Sequence, residues 1–199
     1  MIKNLSLFVI CIVLMCFSNL FSENIDEYVS RKIKENLSSS CMDKTMNCFT
    51  EIGSNEVASL VLLGMYSLGD ERLKKSAKLS TVSIAGATLT CALIKFTVNR
   101  ERPCGSSGRF NSSFPSGHAT GAFAFTYVMG KRYPKIAIPL YLTASTIAFS
   151  RVYNEKHYLS DVVAGSILGL VAGWVVMKNE KTILKIGMKN GQTILKIEF

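Results

Sequence analysis

Six ionisable side chains between residues 95 and 161 recur where apolar segments begin or end. They are three cations, both histidines of the chain and one carboxylate: Lys95, Arg102, His118, Arg151, His157 and Asp161. Fixed cations stabilise the charge of a reacting phosphoryl group, and histidine acts as a nucleophile or transfers protons near neutral pH. These residue types therefore indicate a site that holds a phosphoryl group and attacks it.

Lys95 and Arg102 lie seven residues apart at the end of an apolar segment. On a helix this spacing places both side chains on nearly one face, two turns apart. Pro103 would then end the helix, because proline lacks the amide hydrogen. The pair is either an anion-binding pair or two basic residues that extend from a helix end into solvent.

Residues 115–118, Pro-Ser-Gly-His, stand at the start of the next apolar segment. The free amide groups and the dipole of a helix N-terminus favour an anion there. Ser116 either caps the helix or donates to a ligand oxygen, and Gly117 lets the backbone approach a phosphate closely. His118 lies in the first turn, within reach of the same anion. A capped helix with a surface histidine would have the same local sequence.

Ser150 and Arg151 end a further apolar segment, and His157 and Asp161 follow four residues apart. This spacing predicts that the last two face each other on one helix. A carboxylate that accepts from Nδ1–H fixes the tautomer and leaves Nε2 as a nucleophile. The alternative is an ion pair on a helix surface.

Together the three groups have the spacing Lys-x6-Arg-Pro, Pro-Ser-Gly-His and Ser-Arg-x5-His-x3-Asp. This pattern resembles the type 2 phosphatidic acid phosphatase superfamily (PAP2), which includes bacterial class A acid phosphatases and vanadium haloperoxidases. The resemblance covers residues 95–161 and implies an all-α bundle of five to six core helices. The 11 residues between Pro103 and Pro115 are at the short limit of that gap, which favours an open site.

The resemblance also implies a role for each residue. His157 attacks phosphorus and forms a phosphohistidine, Asp161 orients it, and His118 protonates the leaving oxygen and then activates water. The residues expected to bind the phosphate are Lys95, Arg102, Ser116, Gly117 and Arg151. Neither a metal nor another cofactor is expected.

Apolar segments predict the helices that position these residues. They are residues 57–69, 79–98, 116–130, 136–151 and 158–177, preceded by an amphipathic helix within residues 23–55. Their charge-free parts are shorter than the roughly 20 residues of a full membrane span. However, the basic turns at 71–78, 131–135 and 178–185 would all lie opposite the motifs, which is the positive-inside pattern. We therefore predict a protein of the bacterial inner membrane with its site on the periplasmic face; the alternative is a soluble periplasmic protein.

The two ends of the chain have patterns of their own. Residues 1–22 predict a signal peptide or an N-terminal anchor, with Lys3 before an apolar run. Residues 23–180 would form the phosphatase domain. Residues 181–199 repeat Thr-Ile-Leu-Lys-Ile around Asn190-Gly191 and predict a small β-hairpin. Cys41 and Cys48 form either a disulfide or two free thiols.

Composition limits the partners. The chain has 199 residues, a net charge of +9 and 48% hydrophobic residues, and a mean hydropathy of +0.26. Its basic residues follow no zinc-finger or RNP pattern, so nucleic acid is not an expected partner. We predict a metal-independent phosphatase or pyrophosphatase that acts on a membrane lipid phosphate. The alternatives are a soluble acid phosphatase of broad specificity and a vanadium-dependent haloperoxidase. Arg109 either contacts a lipid head group or is a solvated loop charge.

Overall fold

The computed structural model describes residues 23–106, 108–109 and 111–185, and within them every regular element of secondary structure is a helix. The eight α-helices are α1 Glu23–Leu37, α2 Ser40–Ile52, α3 Asn55–Leu68, α4 Glu71–Val98, α5 Gly117–Arg132, α6 Ala137–Tyr153, α7 Leu159–Lys178 and α8 Glu180–Lys185. A 3-10 helix, Pro134–Ile136, precedes α6. The predicted all-α bundle is therefore confirmed for these residues.

Helix α5 is the centre of the bundle and packs against α4, α6 and α7. Its contact with α7 depends on three glycines spaced four residues apart, Gly165, Gly169 and Gly173. A Cβ atom at these positions would lie 2.5, 2.3 and 2.6 Å, in that order, from atoms of Ser116, which precedes α5, and of Thr120 and Tyr127 within it. Because these residues have no side chain, the two helix backbones approach closely, as in small-xxx-small pairs of membrane helices. This contact brings the N-termini of α5 and α7 together.

The N-terminal amphipathic stretch forms two helices rather than one. Ser39 caps α2, since its side chain accepts a hydrogen bond from the Met42 amide at 3.2 Å, and Gly53 ends it. Helix α1 packs against α6 and α7, and α2 packs against α6. The two helices lie over the end of the bundle that carries the motifs.

Three segments are long and apolar enough to cross a membrane: Glu71–Val98, Pro134–Tyr153 and Leu159–Lys178. Leu89, Leu93 and Leu142 are each more than 60% exposed on their surface, as expected of side chains that face lipid. The basic stretch 71–78 was expected to be a turn but forms the first two turns of α4. Helix α4 starts there because the Asp70 side chain accepts from the Leu73 amide at 2.7 Å.

The basic segments meet at one end of the bundle, as predicted. Arg72 donates to the carbonyl of Arg132, and Arg132 forms an ion pair with Glu180. The motifs lie at the opposite end of α5, which has 16 residues and is therefore about 24 Å long.

The structure contradicts the predicted C-terminal hairpin in its described part, and it decides between the two alternatives left open for Cys41 and Cys48. Residues 182–185, expected as the first strand of a hairpin, belong to α8, where they continue the helical segment after α7; residues 186–199 lie outside the described residues. Cys41 and Cys48 are both free thiols. They stand seven residues apart on α2, a rise of roughly 10 Å, whereas a disulfide needs Cα atoms within about 7 Å. The predicted signal or anchor, residues 1–22, also lies outside the described residues.

Candidate active site

Lys95 lies in the last turn of α4, but Arg102 lies beyond the helix, which corrects the expected two-turn pair. The helix ends at Val98 because Asn99 adopts the left-handed conformation with φ 48°. The Arg102 guanidinium is fixed by two carbonyl oxygens, those of Asn111 at 3.0 Å and Lys156 at 3.1 Å. The fold therefore holds Arg102 at the motif end through loop contacts rather than through helix periodicity.

The Lys95 ammonium donates to the carbonyl of Ser112. The charges of Arg102 and Arg151 both act on Lys95. Three cations that come from three separate segments thus converge at the motif end. Cations in such proximity repel one another unless an anion lies among them.

Ser116 is the residue before α5, and its side chain makes no capping hydrogen bond. Its amide donates to the carbonyl of Asp161 at 3.0 Å, so the starts of α5 and α7 are joined directly. The Ser116 hydroxyl is buried without a partner among the described residues. Beside it, the space where Gly117 would carry a side chain is open. A donor, free helix amides and room for a ligand therefore coincide here.

Arg151 lies in the last turn of α6 and is 8% exposed. Its Nε atom is buried and, like the Ser116 hydroxyl, has no partner among the described residues. Buried polar atoms are normally hydrogen-bonded, so these two donors indicate a place for a ligand with acceptor oxygens. The neighbouring Ser150 hydroxyl donates to Ile147 and contacts Thr50 of α2 at 2.9 Å.

His157 is 2% exposed and lies in the turn before α7, not on the helix as expected. Its Nδ1 atom is 2.7 Å from the carbonyl oxygen of Ser113, and Asp161 Oδ2 is farther away, at 3.7 Å. A carbonyl oxygen only accepts, so Nδ1 carries the proton and Nε2 keeps its lone pair. Burial lowers the pKa of His157 from 6.5 to about 4, although Asp161 opposes this shift.

Asp161 is fully buried in the first turn of α7. It accepts from the Tyr158 amide at 2.8 Å, from the Ser113 hydroxyl, and from Arg100 Nη1 at 2.9 Å. The carboxylate thus fixes the segment that carries the acceptor of His157.

His118 lies in the first turn of α5 and is partly exposed. The charges that act on it include those of Arg151, His157 and Arg102. Its ring also lies beside Gly53, where a Cβ atom would be 3.4 Å from His118 Cδ2. The eight residues predicted for the site therefore all lie at one end of the bundle. Arg109 was left open in the sequence, and its guanidinium lies 5.3 Å from the centre of the Phe96 ring.

Sequence reasoning missed Arg100, Ser113 and Asp26, which surround the His157–Asp161 pair. Arg100 stands between Lys95 and Arg102, and its charge was the only available signal. No signal in the sequence indicated that Asp26 lies near the site, since a carboxylate on an amphipathic helix is usually solvated. Across the described residues, no three His, Cys, Asp or Glu side chains group as metal ligands do.

Relatives of known name match this chain over much of its length. Lipid A 1-phosphatase of Porphyromonas gingivalis is 31% identical over 128 residues, which cover 60% of this chain and 28% of that protein. The chain therefore matches less than a third of that relative. Undecaprenyl-diphosphatase BcrC of Bacillus subtilis is 27% identical over 150 residues, which cover 70% of this chain and 75% of that protein.

Two solved structures have the same fold. Aquifex aeolicus LpxE has a TM-score of 0.67 and 24% identity, covering 76% of this chain and 93% of its own. The transmembrane PAP2 type phosphatidylglycerolphosphate phosphatase of Bacillus subtilis has a TM-score of 0.68 and 22% identity, covering 92% of this chain and 98% of its own. The family model described as PAP2 superfamily matches residues 77–184, more than half of the sequence. This match includes residues 95–161, which carry all three motif groups. The chain therefore belongs to the PAP2 superfamily.

Proposed function

We propose that the protein is a metal-independent phosphatase that hydrolyses lipid phosphate monoesters or pyrophosphates through a phosphohistidine. The observation that carries this proposal is the environment of His157. A buried neutral imidazole, with Nδ1 bonded to the Ser113 carbonyl, lies at the bundle end where three cations converge. Two buried donors there, Ser116 Oγ and Arg151 Nε, have no partner among the described residues.

In the first step, the lone pair of His157 Nε2 attacks phosphorus and a P–N bond forms. The P–O bond to the lipid breaks, and its electron pair stays on the leaving oxygen, which takes a proton from His118. A phosphate dianion beside His118 favours the protonated ring that this role needs. The positive charge that forms on His157 lies 3.7 Å from the Asp161 carboxylate.

In the second step, His118 accepts a proton from water as the water oxygen attacks phosphorus. The P–N bond breaks, its electron pair returns to His157, and inorganic phosphate leaves. Throughout, the phosphoryl oxygens face Lys95, Arg102 and Arg151, with the Ser116 hydroxyl and the Gly117 amide. Such preorganised cations and donors stabilise the transition state, and they supply the charge that a metal supplies in other phosphatases.

A lipid substrate is supported by the apolar surface of the bundle and by an apolar cleft beside the site. The cleft lies between α3, α4, α5 and α6, and Gly53 and Ile147 form its end nearest His118. The two named relatives are a lipid A 1-phosphatase and an undecaprenyl-diphosphatase. We infer that the substrate is phosphatidic acid, phosphatidylglycerol phosphate, an isoprenyl pyrophosphate or lipid A.

We also infer that the protein lies in the bacterial inner membrane with its motif end on the periplasmic face. The support is the cluster of basic segments at the other end of α5, because Lys and Arg concentrate on the cytoplasmic side. Arg72, Arg132 and Glu180 mark that end.

A phosphate-release panel tests this function. Membrane and soluble fractions with the wild-type chain, His157→Ala and the distant control Lys135→Ala would be assayed on the four lipids and on p-nitrophenyl phosphate, with EDTA. We expect lipid hydrolysis in the membrane fraction, resistance to EDTA, inhibition by vanadate, and a loss of at least about 1000-fold in His157→Ala only. A magnesium requirement or an active His157→Ala variant would contradict the mechanism. Activity released by osmotic shock would favour the soluble acid phosphatase, and peroxide-dependent halide oxidation with vanadate the haloperoxidase.

A further inference from the structure

Arg100 joins the candidate nucleophile to a helix outside the segment that the family model matches. Its Nη1 atom donates to Asp161 Oδ1 at 2.9 Å, and its Nη2 atom donates to Asp26 Oδ2 at 2.9 Å. Asp26 lies on α1, whereas the family match begins at residue 77. The guanidinium therefore bridges two carboxylates that come from opposite ends of the described chain.

The backbone of Arg100 reaches the same place. Its carbonyl accepts from the Ser113 amide at 2.8 Å, and the Ser113 carbonyl accepts from His157 Nδ1 at 2.7 Å. The Ser113 hydroxyl donates to Asp161. Arg100, Ser113, His157 and Asp161 thus form a closed ring of contacts, and a shift of Arg100 changes the acceptor of His157.

Asp26 holds this ring from outside. Its side chain is fully buried, and it accepts from the Ser160 amide at 3.1 Å and from the Ser160 hydroxyl. Ser160 is in the first turn of α7, whose N-cap residue Tyr158 belongs to the same turn as His157. Asp26 therefore caps the helix that follows the nucleophile and fixes the guanidinium that contacts Asp161.

We propose that Asp26 and Arg100 are positioning residues that hold His157 in its attacking orientation. This inference rests on the proposed function, since it assigns them to the same reaction. The Asp26 and Asp161 carboxylates are both buried, and a buried charge is tolerated only while it is paired. Arg100 pairs with both, so the loss of either contact leaves a buried charge uncompensated. Neither Asp26 nor Arg100 is among the proposed phosphate-binding residues, so their loss should misplace the nucleophile and leave substrate binding intact.

The experiment uses the full chain in detergent, with dioctanoyl phosphatidic acid as the probe. Asp26→Asn keeps an acceptor for the Ser160 amide but loses the charge that faces Arg100. We expect kcat to fall about 10- to 100-fold with KM nearly unchanged, which is the range for misplaced catalytic groups. The matched control is Asp43→Asn, which likewise keeps an acceptor but removes the charge at another N-terminal contact with the bundle. There Asp43 accepts a 2.6 Å hydrogen bond from Tyr153 and pairs with Lys34 at 3.4 Å. The control should lower the unfolding temperature while it leaves kcat unchanged.

A double-mutant cycle adds a test that a merely structural role would fail. Because Asp26→Asn and Arg100→Lys break one chain of contacts, the double variant should lose no more kcat than the worse single variant. Additive losses, an unchanged kcat in Asp26→Asn, or an equal kcat loss in Asp43→Asn would each overturn the inference. In those cases an active wild-type chain and an inactive His157→Ala variant would leave the proposed function standing. A wild-type chain that hydrolyses neither this lipid nor any other in the panel would overturn both.

Discussion

His157 Nδ1 lies 2.7 Å from the Ser113 carbonyl oxygen, and the Asp161 carboxylate is a full 1.0 Å farther away, at 3.7 Å. The spacing of the two residues in the sequence predicted that the carboxylate would be the acceptor. Instead Asp161 accepts from the Ser113 hydroxyl and from the Tyr158 amide, and these two hydrogen bonds fix the loop around His157. The carbonyl sets the tautomer of His157, and Asp161 acts on the ring through its charge.

The chain has only two histidines, so His118→Gln leaves His157 as the sole imidazole. Nitrogen-15 NMR of this variant, labelled at histidine, should show a protonated Nδ1 and an unprotonated Nε2 at pH 7. The pKa of His157 should be near 4, because burial disfavours the charged ring. His157 would therefore stay neutral as the pH falls from 7 to about 5 and become protonated only as it falls through 4.

The same chain unfolded in urea is the reference, because its histidine should titrate near 6.5. Between pH 6.5 and 4 the unfolded chain binds more protons than the folded one, so the free energy of unfolding should fall progressively as the pH drops through that window. Above the window and below it, His157 adds no further pH dependence. A folded-state midpoint near 6.5, or a proton on Nε2 at pH 7, would contradict this account of the site.

The shared location of the candidate site residues at one end of the bundle could be predicted, because they lie in three short groups at the ends of apolar segments. Lys95, Ser116 and Arg151 stand where helices α4, α5 and α6 end or begin, and the bundle brings those ends together. Helix boundaries were less predictable. Asn99 ends α4 by adopting a left-handed conformation, and the spacing of apolar residues in the sequence does not reveal this helix end.

The contacts that depend on long-range packing could not be predicted. Asp26 and Arg100 are 74 residues apart in the sequence. The sequence pattern of an amphipathic helix does not show whether an acidic residue such as Asp26 is buried or solvated. Residues 182–185 have β-branched and apolar residues typical of a strand, yet they continue as helix after α7. Tertiary context overrides such weak local preferences.

Gly165→Ala should separate the starts of α5 and α7. The new Cβ atom would lie 2.5 Å from the Ser116 carbonyl oxygen and 3.2 Å from its amide nitrogen. Because these are backbone atoms, the helices must move apart, and the bond from the Ser116 amide to Asp161 is lost. We expect a loss of about 1 to 3 kcal/mol in unfolding free energy and a marked fall in phosphate release. Gly86→Ala, which meets nothing within 4 Å, is the control. Equal effects of both changes would argue against close packing as the cause.

Gly53→Ala tests whether the apolar cleft takes the lipid chain. Its Cβ atom would lie 2.4 Å from Ile147 Cγ2, and a β-branched side chain has little freedom to move away. The corner between α2 and α3 must shift, which changes the end of the cleft beside His118. Activity on long-chain lipid phosphates should fall by about tenfold, and p-nitrophenyl phosphate should be affected far less. Gly64→Ala, in open space on α3, should change neither, and an equal loss on both substrates would speak against a lipid chain in the cleft.

Cysteine labelling tests which face of the membrane carries the site. Cys104 is exposed at the motif end, and Lys135 is exposed at the basic end. One variant keeps Cys104 as its only cysteine, and another has Lys135→Cys as its only cysteine. A membrane-impermeant maleimide should label the first in intact spheroplasts and the second only after lysis, because the proposed orientation places the basic end on the cytoplasmic side. The reverse pattern would invert the orientation. Labelling of both before lysis would mean that the bundle between them, about 24 Å long at α5, does not cross a bilayer.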